Sequence, residues 1–176
     1  MRNQGFTLIE LLLTVLIMGI LVSIATPNIQ DQLMRGRIEG AALNLKQELA
    51  YAHSEAIKRN ADIFVDATTS DGGATWCVGV SIADNCDCTI ADPTAAGACV
   101  LPINGVNVLR RLTHDDYDAV SMDREFDFSF DGTRGVASNG TYIFSAGSYE
   151  AHVVVSILGR IRVCDETGDL SGWTAC

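Results

Sequence analysis

The chain has 176 residues, 48% of them hydrophobic, and a formal charge of −10. Such a negative field repels nucleic acid at long range and low salt, so DNA contact requires a local basic patch. No Gly-x-Ser-x-Gly, P-loop or His-Glu-x-x-His pattern is present, and an enzyme would have to build its site from scattered residues; none is expected.

Residues 6–26 form the first predicted element, an apolar run of 21 residues holding a lone carboxylate, Glu10. At a rise of about 1.5 Å per residue the run spans roughly 30 Å, the thickness of a bilayer's hydrocarbon core. An ionised side chain in that setting costs several kcal/mol unless it finds a partner. No other charge in the run can pair with Glu10, so its partner is expected on another chain. Arg2 and the free amine assign the preceding segment to the cytoplasm by the positive-inside rule, and the remainder is expected to face outward. An ordinary secretory signal has an apolar core of about 7–15 residues and a small-residue cleavage site, which fits this run poorly.

Pro27 follows, and proline inside a helix removes a hydrogen bond and kinks the axis. Beyond it Ile38, Ala42, Leu45, Leu49, Ala52 and Ala56 recur at alternating steps of four and three residues. That period predicts one kinked helix from about Phe6 to Arg59, with an apolar stripe on its second half.

From Ala61 the period changes to two. Ile63–Val65, Trp76–Ile82, Val106–Leu112, Phe126–Phe130, Thr141–Phe144, His152–Ile157 and Ile161–Cys164 are predicted strands. Asp131-Gly132, Asn139-Gly140 and Leu158-Gly159 are predicted turns between them, and Asp84–Pro102 reads as a loop. A long N-terminal helix followed by an antiparallel sheet is an α+β arrangement. The expected divisions are 1–5, 6–26, 27–60 and a β-rich domain from 61 to 176. Within that domain residues 62–131 carry thirteen Asp/Glu against three Lys/Arg, Arg110, Arg111 and Arg124.

Six cysteines, Cys77, Cys86, Cys88, Cys99, Cys164 and Cys176, fall on the outward side of the apolar run. An even count in an oxidising compartment reads as disulfides with local pairing favoured, Cys164 with Cys176 closing a short loop. The alternative is a zinc knuckle on Cys86-Asp87-Cys88, whose spacing differs from the usual gap between thiolates. No metal or other cofactor is expected.

These elements carry a family resemblance. Met1-Arg2-Asn3-Gln4-Gly5 followed by Phe6-Thr7-Leu8-Ile9-Glu10 resembles the class III signal of type IV pilins and type II secretion pseudopilins. The resemblance implies that a prepilin peptidase cuts after Gly5 and methylates the new N-terminus at Phe6. It also implies that Glu10 pairs with the N-terminal amine of a neighbouring subunit during assembly. Within that class, the stretch Leu49–Asn60, the Phe130–Gly135 turn and the segment Val153–Cys164 are similar to the helix end and closing hairpin of the GspH/FimT/FimU group. The implied fold is pilin-like, a helix with a transmembrane half and an amphipathic half packed on an antiparallel sheet domain. The implied function is that of a minor type IV pilin that initiates or caps a pilus at its tip. A type II secretion minor pseudopilin is the alternative, as is a pilus-borne DNA receptor of the FimT kind. Partners implied are other minor pilins and the major pilin, or pseudopilins, with prepilin peptidase and the inner membrane; DNA is the less favoured one. The implied location is a single pass of the bacterial inner membrane with the domain periplasmic, then a pilus or pseudopilus tip.

Two local features bear on these alternatives. In Gly159-Arg160-Ile161-Arg162 a strand would place both guanidiniums on one face, roughly 6–7 Å apart, a spacing suited to successive phosphates. The resemblance to FimT-like members associates this element with DNA; the competing reading is that both arginines are solvated or pair with Asp165 and Glu166. Arg110, Arg111 and Arg134 would strengthen a DNA site if they gathered nearby. His53, His114 and His152 are too scattered for a metal triad, and His114–Asp118 lacks the spacing of an EF-hand loop.

Overall fold

The alternation of apolar side chains in the helix dictates what it buries. In the computed structural model α1 runs Leu8–Arg59, with Glu10 in its first turn and Lys58 and Arg59 in its last, the charge order that complements the helix dipole. The structure describes residues 6–124, 126–166, 168, 170 and 172–176; the side chains at 24–28 and 124 also lie outside the description. The predicted Gly5 cleavage position is therefore outside the described residues. The chain divides into two compact units, Met1–Leu33 and Met34–Cys176.

In the second unit Ile38, Ala42, Leu45, Leu49, Ala52 and Ala56, the predicted stripe, are all fully buried, joined by Ala41. They face a core containing Trp76, Phe130, Tyr142 and Phe144. Four of these seven buried positions are alanine, and the larger residues complete the packed cluster.

Ten strands follow. β1 (Ile63–Ser70), β2 (Thr75–Ser81), β5 (Arg111–Thr113) and β7 (Phe128–Phe130) make a sheet in the order β5-β2-β1-β7. β6 (Ser121–Arg124), β8 (Gly140–Ala146), β9 (Tyr149–Val155) and β10 (Ile161–Asp165) make a second, in the order β10-β9-β8-β6. β3 (Val100–Ile103) and β4 (Val106–Leu109) form a separate hairpin. All ladder pairings are antiparallel. The alternation is plainest in β9, where Tyr149, Ala151, Val153 and Val155 are buried while Glu150, His152 and Val154 are half-buried on the other face, as expected for a sheet with one covered side.

Several strand boundaries differ from the sequence expectation, each for a local reason. The predicted antiparallel domain is built, among the described residues, from two sheets and a hairpin. The predicted Val106–Leu112 strand breaks at Arg110, whose N–H donates to the Cys99 carbonyl while its own carbonyl accepts from the Val80 N–H. This residue thus carries the chain from the β3–β4 hairpin to the first sheet. Val100, Leu101 and Pro102, at the end of the predicted loop, lie in β3, with Pro102 opposite Asn107. β6 was not predicted, because Ser-Met-Asp-Arg offers a single apolar side chain, Met122, to the core. Phe126 and Asp127 fall outside β7, and β9 ends at Val155, so Ile157 belongs to the turn. Gly140 belongs to β8 and not to a turn; a Cβ there would overlap the Phe126 ring, which packs on Tyr142 at 5.1 Å between centroids.

Candidate functional site

In the first unit the chain enters α1 through Thr7. The N–H groups of Glu10 and Leu11 both donate to the Thr7 carbonyl, at 3.1 and 3.2 Å. The Thr7 hydroxyl donates to Glu10 Oε2 at 3.4 Å. The spacing Thr-x-x-Glu is a helix-start signal that sequence reasoning missed, and it holds the carboxylate in the first turn, where the dipole favours an anion. The surrounding side chains are exposed: Phe6 by 81%, Leu8 by 79% and Ile9 by 75%. Thr14 and Ser23 spend their hydroxyls on the Leu11 and Ile20 carbonyls of their own helix. From Phe6 to Ser23 the described surface therefore offers apolar side chains and one carboxylate, a face built to be covered. Among the described residues no helix is long and apolar enough to cross a membrane; the described side chains of the run stop at Ser23.

In the second unit the closing hairpin is fixed by a three-way contact. His53 Nε2 is 2.9 Å from the Gly135 carbonyl oxygen, its ring lies 5.1 Å from Phe130, and Gly159 packs against both His53 and Gly135. The turn itself is closed by Gly159 N–H donating to Ser156 O at 2.8 Å and Ser156 N–H donating to Arg160 O at 3.0 Å. Arg160 and Arg162 emerge from it exposed and line a shallow groove of about 280 Å³ with Val154, Ser156 and Leu158. Among the described residues neither guanidinium has a carboxylate partner; of the competing reading's two options, solvation or pairing with Asp165 and Glu166, the pairing is not found there. Asp165 is buried and accepts the Leu170 N–H instead.

The other arginines are engaged elsewhere. Arg110 lies 3.4 Å from Glu48 and over the Tyr51 ring at 4.0 Å. Arg111 donates to the Cys88 carbonyl, and Arg134 lies 3.8 Å from Asp131. The Asp131 turn is tightly held: its carboxylate accepts from the Thr133 hydroxyl and from the N–H groups of Thr133 and Arg134. These bonds, led by the Thr133 hydroxyl, pull its pKa below the usual carboxylate range. Asp66 behaves oppositely. Burial raises its pKa, although the Cys86 N–H bond opposes this, and the charges of Asp127 and Asp84 raise it further.

The six cysteines pair as Cys77–Cys88, Cys86–Cys99 and Cys164–Cys176. The zinc alternative on Cys86 and Cys88 thus loses both thiolates. His152, Cys164 and Cys176 lie close enough to share an ion among the described residues, but their sulfurs are joined to each other and His152 is hydrogen-bonded to Glu150. His114 donates from Nδ1 to the Trp76 carbonyl and sits beside Asp115. The three histidines are at three separate places, as their spacing implied.

The sequence model of the Type II transport protein GspH family matches residues 41–159. The chain belongs to the GspH family. The prokaryotic N-terminal methylation motif matches residues 1–26 of this GspH-family chain. It is 35% identical over 82 residues to the type IV narrow pilus major component PilA5 of Thermus thermophilus, covering 43% of this chain and 71% of that protein. It is 36% identical over 73 residues to the pilin-like protein PilA1 of the same organism, covering 42% of this chain and 46% of the relative; the match thus spans under half of PilA1. The crystal structure of the type IV minor pilin FimU of Pseudomonas aeruginosa aligns with a TM-score of 0.46 at 22% identity, covering 73% of this chain and 89% of that one. The chain is a type IV pilin-like protein, α+β in fold, of a family associated with membrane and pilus.

Proposed function

We propose that this chain is a structural subunit that primes or caps a type IV pilus from its tip. The observation that supports the reading best is Glu10: one carboxylate, set in the first turn of a helix whose other described side chains through Ser23 are apolar or internally satisfied. Cleavage after Gly5 would create a positively charged amine at Phe6, methylated in the mature chain. Residues 6–26 hold the precursor in the inner membrane, with the domain on the periplasmic side. Neighbouring helices then bundle along this surface, and the amine of one subunit compensates the Glu10 charge of another, removing a cost of several kcal/mol for a charge in lipid.

The test is Glu10→Ala in cells, followed by fractionation and by immunodetection in sheared filaments. The variant is expected in the membrane, at mature size, and absent from filaments and their priming complex; normal incorporation would sink the reading. A bulky residue at Gly5 should leave the precursor uncut.

A secretion pseudopilus is the second reading, favoured by the match to a type II transport family over residues 41–159. Loss of secretion without loss of pili on deletion would decide for it.

A further inference from the structure

β10 is the outermost strand of its sheet, and its hydrogen bonding shows which backbone groups it leaves open. Arg160 faces β9, since its carbonyl accepts from Ser156 N–H. Asp165 faces the other way: its N–H donates to Thr174 O at 3.1 Å, and its carbonyl accepts from Cys176 N–H at 3.3 Å. Because antiparallel strands alternate the direction of their polar groups, Ile161 and Val163 face outward with Asp165. Residues 174–176 thus act as a short added strand, parallel to β10 at Asp165 and pinned by Cys164–Cys176. They occupy one end of the edge. Among the described residues neither Ile161 nor Val163 has a backbone hydrogen bond on its outward side. Beside this stretch stand Arg160 and Arg162, exposed and, among the described residues, without a carboxylate partner, and the hairpin tip presents Ile157 and Leu158 at 63% and 77% exposure.

We propose that the free edge of β10 receives an extended, acidic segment of a neighbouring pilin-like subunit. That segment bonds its backbone to Ile161 and Val163 and sets two carboxylates, two residues apart, on Arg160 and Arg162. The proposal rests on the assembly reading above and names where a neighbour attaches outside the helical bundle. The spacing matches, since side chains on one face of a strand recur every 6–7 Å or so. The chemistry matches too: Ile161 and Val163 each present a donor and an acceptor, which a peptide answers in full and phosphates, being acceptors only, do not. A second copy joined edge to edge through β10 would set arginine against arginine, which disfavours it.

The experiment uses the full chain, disulfides intact, in uncharged detergent micelles. A capped peptide of about eight residues alternating Val and Glu is titrated in while amide hydrogen exchange is read by NMR. The amides of Ile161 and Val163 are expected to slow by about tenfold or more at saturation. The same peptide N-methylated at alternate amides, and a Val/Lys peptide, should leave them unchanged. Arg160→Glu/Arg162→Glu should abolish the effect while retaining the dispersed spectrum of the folded chain. Unchanged exchange overturns the proposal, as does equal protection by the Val/Lys peptide. Duplex DNA that moves the Arg160 and Arg162 signals while the acidic peptide does nothing would make the site a phosphate site instead. Self-association of Arg160→Ala/Arg162→Ala, with no peptide effect on the natural chain, would make the arginines guards against edge pairing and also overturn it. Failure here leaves the Glu10 experiment untouched, because neither filament nor membrane insertion is read.

Discussion

Replacing Gly159 by alanine tests the contact that fixes the closing hairpin. Two separate costs are built into the position. Its φ is +73°, in the left-handed region that costs a residue with a Cβ about 1–2 kcal/mol. A Cβ there would also lie 2.7 Å from the Gly135 carbonyl oxygen and 2.7 Å from His53 Nε2, contacts that require displacement and add about 1–3 kcal/mol. The combined loss is expected to be about 2–5 kcal/mol. Gly105, at the tip of the β3–β4 hairpin, supplies the control: φ is +81° with no atom near its would-be Cβ, so its alanine variant should lose only about 1–2 kcal/mol. Denaturant titration in micelles, followed by the fluorescence of buried Trp76, measures both. In the double variant His53→Ala/Gly159→Ala the losses should fall short of additive by about 0.5 kcal/mol or more. Equal losses at Gly159 and Gly105, or strict additivity with His53, would refute the claim that this turn is held by steric fit.

Cys164→Ser/Cys176→Ser opens a loop whose bonded residues are 12 apart in sequence, so chain entropy predicts a loss of about 3 kcal/mol in the same titration. Asp131 has a lowered pKa in the folded chain, so its contribution is present above about pH 4 and lost as pH falls through its folded value; Asp131→Asn should flatten stability against pH on the acid side. Asp66 has the opposite sign, a raised pKa, so it favours the fold least once ionised. Stability from this group falls as pH climbs from about 4 through the raised value, and Asp66→Asn should remove that slope in thermal melts across pH.

The helix was legible because both of its signals are local. The steps of four and three that mark Ile38 to Ala56 are a property of one helix face, and all six residues are buried. Strand interiors were legible for the same reason, as Phe128 and Phe130 show with Ser129 half-exposed between them. What period alone could not give was anything decided by a partner far along the chain. Arg110 breaks an apparently continuous strand because its backbone bonds lie with Cys99 and Val80. The Asn139-Gly140 pair looks like a turn, yet the glycine serves the Phe126 ring. At the site, exposure of Arg160 and Arg162 followed from strand alternation, whereas the missing carboxylates and the open edge of β10 depend on where residues 165 and 174–176 fold. Thr7 is a different case: its spacing to Glu10 was readable, since Thr-x-x-Glu is a helix-start signature.

The crossed pairing of four cysteines has a mechanical consequence. Between Cys77 and Cys99 the chain contains 22 peptide links, which fully drawn out would reach roughly 75 Å. Tension need not follow that route. It passes from Cys77 to Cys88 across 5.7 Å, back two residues to Cys86, and on to Cys99 across 5.0 Å. The covalent shortcut is roughly 18 Å long. A pull on this subunit that tears the sheets apart would therefore find almost no slack in this stretch, and the bypassed segments 78–85 and 89–98 would carry no load.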